Sequence, residues 1–395
     1  MTAPEFPLGG RCDVLFYVQH LLGVGHLRRA AVIARALDRA GLTVVFASGG
    51  LPDPNLALGG ARLVQLAPAR VRDESFAQLV DAEGRDVGEA WRAERRFHLL
   101  QLLQHCGPRV LLTEMFPFGR RQMRFELLPL LQAARKMRPR PWIVSSLRDV
   151  LTTHKTPGKT EWILETFTRF YDLVLVHGDP ALIPLERSFP RAGEIAGRLR
   201  YTGYVVEHAP PPSGARGTEV LVSTGGGAVA RPLVEAAVQA RALSPLAAAP
   251  WRILIGHGLD EAGFAALRAA APPGVTIERS RPDFLALLAR AALSISQAGY
   301  NTTLEVLAAG TPAIVVPFAA GSETEQALRA QLLAERGLLT VVPEAELSPR
   351  RLAEAISAAV ARPARLSGGI GFDLNGAEKT ADLLRELAAT AIVPS

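Results

Sequence analysis

Residues 294–326 read SISQAGYNTTLEVLAAGTPAIVVPFAAGSETEQ. Leu293 and Ile295 begin a short apolar strand that breaks at Ala298-Gly299. A helix then starts at Asn301-Thr302-Thr303 and stops at Gly310, before the apolar strand Pro312–Val316. One strand, one helix and one strand in succession make a parallel α/β unit. Its polar residues fall just beyond the two strands, and in an open parallel sheet ligands bind in the crevice outside the carboxyl ends of the strands. A helix start at Thr302 offers free backbone N–H groups and a partial positive charge, which suit a phosphate.

The same alternation runs outward in both directions. Towards the N-terminus, Asp13–Gln19, Leu42–Ala47, Arg62–Leu66, Val110–Thr113, Trp142–Ser146 and Leu173–His177 read as strands, with helical patterns between several of them. The second half repeats the scheme at Glu219–Ser223, Arg252–Ile255, Thr276–Glu278, Leu293–Ser296, Ala313–Val316 and Leu339–Val342. Between the halves, residues 207–217 (EHAPPPSGARG) are rich in Pro and Gly, have no periodicity and read as a linker. The expected fold class is therefore α/β, with two doubly wound Rossmann-like domains at 1–206 and 218–374.

At the opening stretch the sequence resembles the C-terminal domain of family-28 glycosyltransferases, the group containing the enzyme that adds N-acetylglucosamine to an undecaprenyl-linked muramyl peptide. The residues that carry the resemblance are Gly299 after a strand, Glu305 near a helix start, the run AAGTPAIVVP, and the acid-Gln pair Glu325-Gln326. The resemblance implies a GT-B architecture, two domains facing a cleft, with residues 375–395 crossing back onto the first domain. It also implies that Glu305 holds the ribose hydroxyls of a nucleotide and that Glu325 and Gln326 meet the donor sugar. A second reading fits the same acids: Thr302-x-x-Glu305 and Ser322-x-x-Glu325 each match a capping box, in which the glutamate satisfies an orphan N–H.

Other donor-side residues follow from the same resemblance. The loop Ser223-Thr224-Gly225-Gly226-Gly227 is expected against the donor diphosphate and Ser280-Arg281 near the base, while Gly299, Asn301, Thr302 and Thr303 supply the helix start. Family members commonly cap a uracil with an aromatic or large aliphatic residue where this chain has Ser280, which leaves the base open although a UDP-sugar fits the family. A structural strand-to-helix turn explains the glycines of the 223–227 loop equally simply, and without a P-loop lysine an ATPase reading is weak.

In the first half, Gly23-Val-Gly25-His26-Leu-Arg28 follows a strand and opens a helix. The full dinucleotide fingerprint is missing, so a Rossmann cofactor site is disfavoured. Family-28 enzymes have a Gly-rich loop ending in Gly-His at this place. The positive end of the helix dipole is expected to lower the pKa of His26, and a neutral imidazole near pH 7 is what a general base requires. Packing or capping at the helix start is the alternative role for this histidine. Glu114 and Asp149 both follow strands and are candidates to orient His26, while Gly23, Gly25, Arg28 and Arg148 are candidates for the acceptor. The strings around Glu114 and Arg148 resemble a less characterised bacterial branch near family 28, and a surface ion-pair network accounts for them as well.

Composition narrows the partners. Residues 1–200 carry a net charge of +8 and 201–395 a net of −2, out of +6 overall. The basic first half points to an anionic acceptor, phosphorylated or lipid-linked, or to a membrane surface. Phe116-Pro-Phe118-Gly-Arg120-Arg121, with Met123 and Arg124, reads as a shallow peripheral membrane contact or as a buried loop. No zinc-finger, RNP or basic-zipper pattern is present and aromatics are only 6%, which argues against nucleic acid. Cys12 and Cys106 show no ligand spacing and read as buried apolar residues. No apolar run reaches about 18 residues, and the first residues lack a signal-peptide layout, so the expected location is cytoplasmic, on the inner face of the membrane where the acceptor is lipid-linked.

No Asp-x-Asp occurs in the sequence, so neither a metal nor a cofactor is expected beyond the nucleotide-sugar itself, which is a substrate. The sequence thus predicts an inverting, metal-independent glycosyltransferase. Its rivals are a UDP-sugar hydrolase or 2-epimerase on the same fold, and a non-catalytic sugar-nucleotide-binding partner protein.

Overall fold

A computed structural model describes residues 10–21, 23–72, 78–151, 157–207, 216–225, 231–256, 258–318, 325–361 and 373–390. The described residues up to Val205, together with those from Asp373 onwards, form one compact unit, and those between form a second.

The first unit contains β1 (Val14–Val18), α1 (Gly25–Arg39), β2 (Val44–Ser48), β3 (Arg62–Gln65), the short hairpin β4 (Arg70–Val71) and β5 (Leu79–Val80), and α2 (Glu89–Cys106). Then follow β6 (Val110–Glu114), α3 (Arg124–Lys136), β7 (Trp142–Arg148), α4 (Lys159–Phe170), β8 (Leu173–His177) and β9 (Leu199–Tyr201). Seven strands form one parallel sheet in the order β3-β2-β1-β6-β7-β8-β9. The order reverses direction at β1, so the switch point lies between β1 and β6.

Both faces of this sheet are covered, which is why its strands are apolar at nearly every position instead of alternating. In β1, Leu15 and Tyr17 point into the core shared with α2, α3 and α4. Val14, Phe16 and Val18 point into the opposite core, with α1 and the last helix.

The second unit runs β10 (Val220–Ser223), α5 (Arg231–Leu243), β11 (Trp251–Ile255), α6 (Glu261–Ala269), β12 (Val275–Arg279), α7 (Phe284–Arg290), β13 (Leu293–Ser296) and α8 (Tyr300–Ala308). It closes with β14 (Ala313–Val315), α9 (Glu325–Glu335), β15 (Thr340–Val341) and α10 (Pro349–Ala361). Its parallel sheet has the order β12-β11-β10-β13-β14-β15, with the switch point between β10 and β13. The last helix, α11 (Gly376–Ala389), returns to the first unit. Its Ala377, Ala381, Leu384 and Ala388 pack with Leu27, Ala30 and Ala34 of α1. Val205 pairs with Asn375 where it returns, and Gly376 donates its N–H to the Tyr204 carbonyl.

Most of the linker expected at 207–217 lies outside the described residues. At its end, the Arg216 guanidinium donates to the Ala309 and Gly310 carbonyls at the end of α8, and the Gly217 N–H donates to Arg290. Residues 216–217 are therefore tied to the second unit.

Of the two readings of Phe116 to Arg124, the buried loop holds for the apolar members. Phe116, Phe118 and Met123 are 0%, 2% and 0% exposed. The Phe116 ring meets Trp162 edge-on at 5.8 Å, and Phe118 packs on Phe167 and Phe189. Rings so far inside one core cannot also enter a bilayer. Cys12 and Cys106 are free and buried, and the Cys12 N–H donates to the Cys106 carbonyl at 3.0 Å. Among the described residues, no helix is long and apolar enough to cross a membrane.

Candidate functional site

At the switch point of the first unit, β1 and β6 lie side by side with Tyr17 opposite Thr113. The loop leaving β1 turns at Gly23, whose φ of +66° is a left-handed conformation that a side chain would strain. It delivers His26 as the second residue of α1, and Glu114 is the last residue of β6. His26 Nδ1 lies 2.6 Å from Glu114 Oε1. The imidazole is 13% exposed and the carboxylate fully buried.

Two guanidiniums share this carboxylate. Arg29, one helical turn beyond His26 and 2% exposed, donates to the same Oε1. Arg120 Nε stands 3.9 Å from Oε2 and donates to the Gln19 carbonyl at 2.7 Å. Arg120 itself has φ +58°, and Met115 of the same loop has φ +67°. Two non-glycine residues in the left-handed region within six positions mark a strained backbone, which the surrounding packing holds in place.

The charges settle the protonation of the pair. Burial pushes His26 down to about 3, with Glu114 opposing and Arg120 and Arg148 adding to the effect. Burial alone would raise Glu114, but His26, Arg29 and Arg120 together hold it at about 2. At neutral pH the carboxylate is therefore ionised and can only accept. Nδ1 must carry the imidazole proton, leaving the Nε2 lone pair as a proton acceptor. The first cause of the lowered value is burial, where the sequence pointed to the helix dipole.

Beneath this pair a second ionic group pins the strand ends. Arg95 donates to both oxygens of Glu126, at 2.7 and 2.9 Å, to Gln19 Oε1 at 2.6 Å and to the Gly49 carbonyl at 2.9 Å. Tyr17 also donates to Glu126. Every group here is fully buried and paired in a geometry that meets most of its hydrogen-bonding capacity, as a buried charge requires. His20 is packed so closely that a Cβ on Gly50 would fall 2.3 Å from its ring.

Of the two acids proposed to orient His26, Glu114 is the one hydrogen-bonded to it. Asp149 is fully buried and accepts the N–H of Val150 at 2.8 Å. Arg148 ends β7 opposite His177 and is near enough to act on His26. Gly23 in the loop after β1, and Gly25 and Arg28 in the first turn of α1, are exposed. Arg29 and Arg120 were not among the residues the sequence singled out for this pair. The available signal was the i, i+3 spacing of Arg29 from His26, which puts both on one face of α1.

In the second unit, Ser223 ends β10 and stands opposite Ser296, which ends β13. Both hydroxyls, and that of Thr303, are buried with no hydrogen-bond partner among the described residues. Gly225 has φ +61°, and Gln297 Oε1 is 3.6 Å from where its Cβ would be. The loops after β10 and β13 thus meet at the switch point, although Gly226 and Gly227 lie outside the described residues. Around Gly299 a Cβ would meet nothing within 4 Å, so the start of α8 is open at this place.

The capping alternative for Glu305 fails. α8 starts at Tyr300 with Gly299 as N-cap and no side-chain cap, which puts Asn301, Thr302 and Thr303 in its first turn and Glu305 at its sixth residue. A capping box needs its acid at the third residue. Ser322, the cap expected for Glu325, lies outside the described residues. Glu325 begins α9 and is 1% exposed, and Gln326 Oε1 accepts the Phe318 N–H at 3.2 Å. Ser280 and Arg281 are exposed beyond edge strand β12, where Arg281 forks onto Asp283 at 2.8 and 2.9 Å and reaches Glu278 at 3.1 Å. Among the described residues, no three His, Cys, Asp or Glu side chains are grouped to hold a metal ion.

Residues 220–368 match the glycosyltransferase family 28 C-terminal domain. The UDP-N-acetylglucosamine–N-acetylmuramyl-(pentapeptide) pyrophosphoryl-undecaprenol N-acetylglucosamine transferase of Rhodopseudomonas palustris (strain BisB18) is 33% identical over 183 residues, 44% of this chain and 48% of the relative. Its namesake in Agrobacterium fabrum is 35% identical over 106 residues, 27% of this chain and 28% of the relative. The chain thus spans under half the length of these curated relatives. Among solved structures, the MurG of Acinetobacter baumannii superposes with a TM-score of 0.60 at 18% identity, covering 95% of this chain and 99% of that one. The calicheamicin glycosyltransferase CalG4 gives 0.58 at 19%, covering 96% and 95%. These likenesses establish the GT-B fold of two Rossmann-like domains.

Proposed function

We propose that this chain, family-28-like in its second unit and GT-B in fold, is a glycosyltransferase that moves a sugar from a nucleotide-diphosphate donor to an acceptor hydroxyl. The observation that carries the proposal is the family 28 C-terminal domain match over residues 220–368. The His26–Glu114 pair at the switch point of the other unit supplies a base suited to that reaction.

In this reading the acceptor oxygen attacks the anomeric carbon while its proton passes to His26 Nε2. The bond from that carbon to the diphosphate oxygen breaks with its electron pair going to the leaving nucleotide, and the configuration inverts. An ionised Glu114 on Nδ1 stabilises the imidazolium that forms. The open start of α8, with Gly299, Asn301, Thr302 and Thr303, and the loop of Ser223, Thr224 and Gly225 would receive the diphosphate charge without a metal. Glu305 would hold the ribose, Glu325 and Gln326 the sugar, and Ser280 and Arg281 the base, with a UDP-sugar favoured by the named relatives. Arg28 and Arg148, with Gly23 and Gly25, would meet a phosphorylated or lipid-linked acceptor at the inner face of the membrane.

A thermal-shift screen of nucleotide-sugars followed by product analysis with a labelled donor tests the reading. A stabilising donor whose sugar is transferred to an added acceptor is expected. Free sugar released without acceptor, or an isomerised nucleotide-sugar, would replace transfer by hydrolysis or epimerisation. Binding without turnover under any condition would leave a non-catalytic binding protein.

A further inference from the structure

We propose that Arg29 is a positioning residue that fixes where the proton sits in the His26–Glu114 pair and keeps the imidazole in its neutral, proton-accepting form. The inference rests on the base role given to His26 above, but its decisive measurement needs no substrate.

One carboxylate oxygen, Glu114 Oε1, accepts from both His26 Nδ1 and Arg29 Nη2. Arg29 and His26 project from the same face of α1, so the two donors reach that oxygen from one rigid element. If the Nδ1 proton moved onto Glu114, a buried guanidinium would be left against a neutral acid, which is costly where the pair is dry. Glu114 therefore stays ionised and Nδ1 keeps its proton. By donating to Glu114 Oε1, Arg29 also draws on the carboxylate charge that would favour an imidazolium.

The other charged or titratable groups around the pair are few. Arg120, after β6, and Arg148, at the end of β7, oppose the imidazolium, while Glu114 favours it. His177, at the end of β8, is held neutral by burial with Arg29 adding to the effect. His20, at the end of β1, is likewise lowered by burial and Arg120. Arg29 donates to the oxygen that receives Nδ1, whereas Arg120 Nε stands 3.9 Å from the other oxygen, Oε2.

The test is the His26 imidazole titration, followed by NMR in wild type, Arg29→Gln and Arg29→Lys. In wild type the expected state at pH 7 is the Nδ1–H tautomer with a midpoint well below 6.5. In R29Q the midpoint is expected to rise by at least one pH unit, a tenfold gain in proton affinity, and in R29K to stay near wild type. The acid limb of turnover should move up by the same amount in R29Q with donor KM unchanged. A folded R29Q with an unshifted midpoint overturns the proposal, as does a wild-type His26 that titrates at 6.5 or above. Should R29Q not fold, Arg29→Met is read in the same way. A protein that turns over no donor, yet shows these midpoints, would refute the enzymatic reading and leave the role of Arg29 standing.

Discussion

Lowering the pH from 7 to 5 should destabilise the first unit before any carboxylate titrates. His26 and His177 are both held at about 3 in the fold by burial, while a histidine in an unfolded chain titrates near 6.5. A depressed folded value means that the unfolded chain binds the extra protons. The stability from each neutral imidazole is therefore present above pH 6.5 and drains away as pH falls towards the folded value. Between pH 7 and 5 this amounts to about 2 kcal/mol per histidine, or about 4 kcal/mol for the two. Against a domain stability on the order of 5–15 kcal/mol, that is a large fraction.

Glu114 does not contribute in this window. Its folded value of about 2 lies below an ordinary carboxylate's, so its stabilisation is intact above about 4.5 and is lost only at lower pH. The assay is urea unfolding followed by tryptophan fluorescence at pH 7, 6 and 5, where Trp91, Trp142 and Trp162 report the first unit and Trp251 the second. No described residue of the second unit is a buried histidine, so its transition serves as the reference. The first-unit midpoint should fall steeply, and His26→Asn should remove about half of that dependence. A first-unit midpoint that is flat from pH 7 to 5 would refute the assignment of these histidines as buried and neutral.

Three further outcomes are expected. Glu305→Ala should weaken binding of the cognate nucleotide-sugar by about 1.5–3 kcal/mol with the melting temperature little changed, since the residue lies beyond the capping turn; isothermal titration and a thermal melt check both halves. Phe118→Ala should cost about 3–5 kcal/mol of stability, as for a large ring removed from a core, and vesicle flotation should be no different from wild type for the folded fraction. Transfer activity should survive EDTA, and loss on chelation that Mg²⁺ or Mn²⁺ restores would contradict the proposed metal-free stabilisation of the leaving diphosphate.

The order of elements was legible because parallel strands covered on both faces are written as short unbroken apolar runs. Val14–Val18 and Val220–Ser223 were visible for that reason, to within a residue or two. β9 and the β4–β5 hairpin were not, since their polar members, Arg70 and Arg200, interrupt any apolar run. The start of α8 was misplaced because Asn301-Thr302-Thr303 has strong cap chemistry, yet the chain uses the backbone of Gly299 instead. His26 stood out through its glycines, and Glu114 through its place after a strand. Their partnership needed the strand order, since only the adjacency of β1 and β6 brings residues 88 positions apart into one hydrogen bond. In sequence the loop after β6 allows two readings, because its two Phe and following Arg pair look amphipathic; the rings go to the core while Arg120 turns back to Gln19 and Glu114.

In the proposed reaction His26 accepts the acceptor's proton during sugar transfer. Single-turnover transfer from a labelled nucleotide-sugar by His26→Ala, with donor affinity measured in parallel, addresses it most directly. The expected rate is lower by about 10²–10⁴ with donor affinity nearly unchanged. A His26→Ala protein that transfers sugar at the wild-type rate would contradict it.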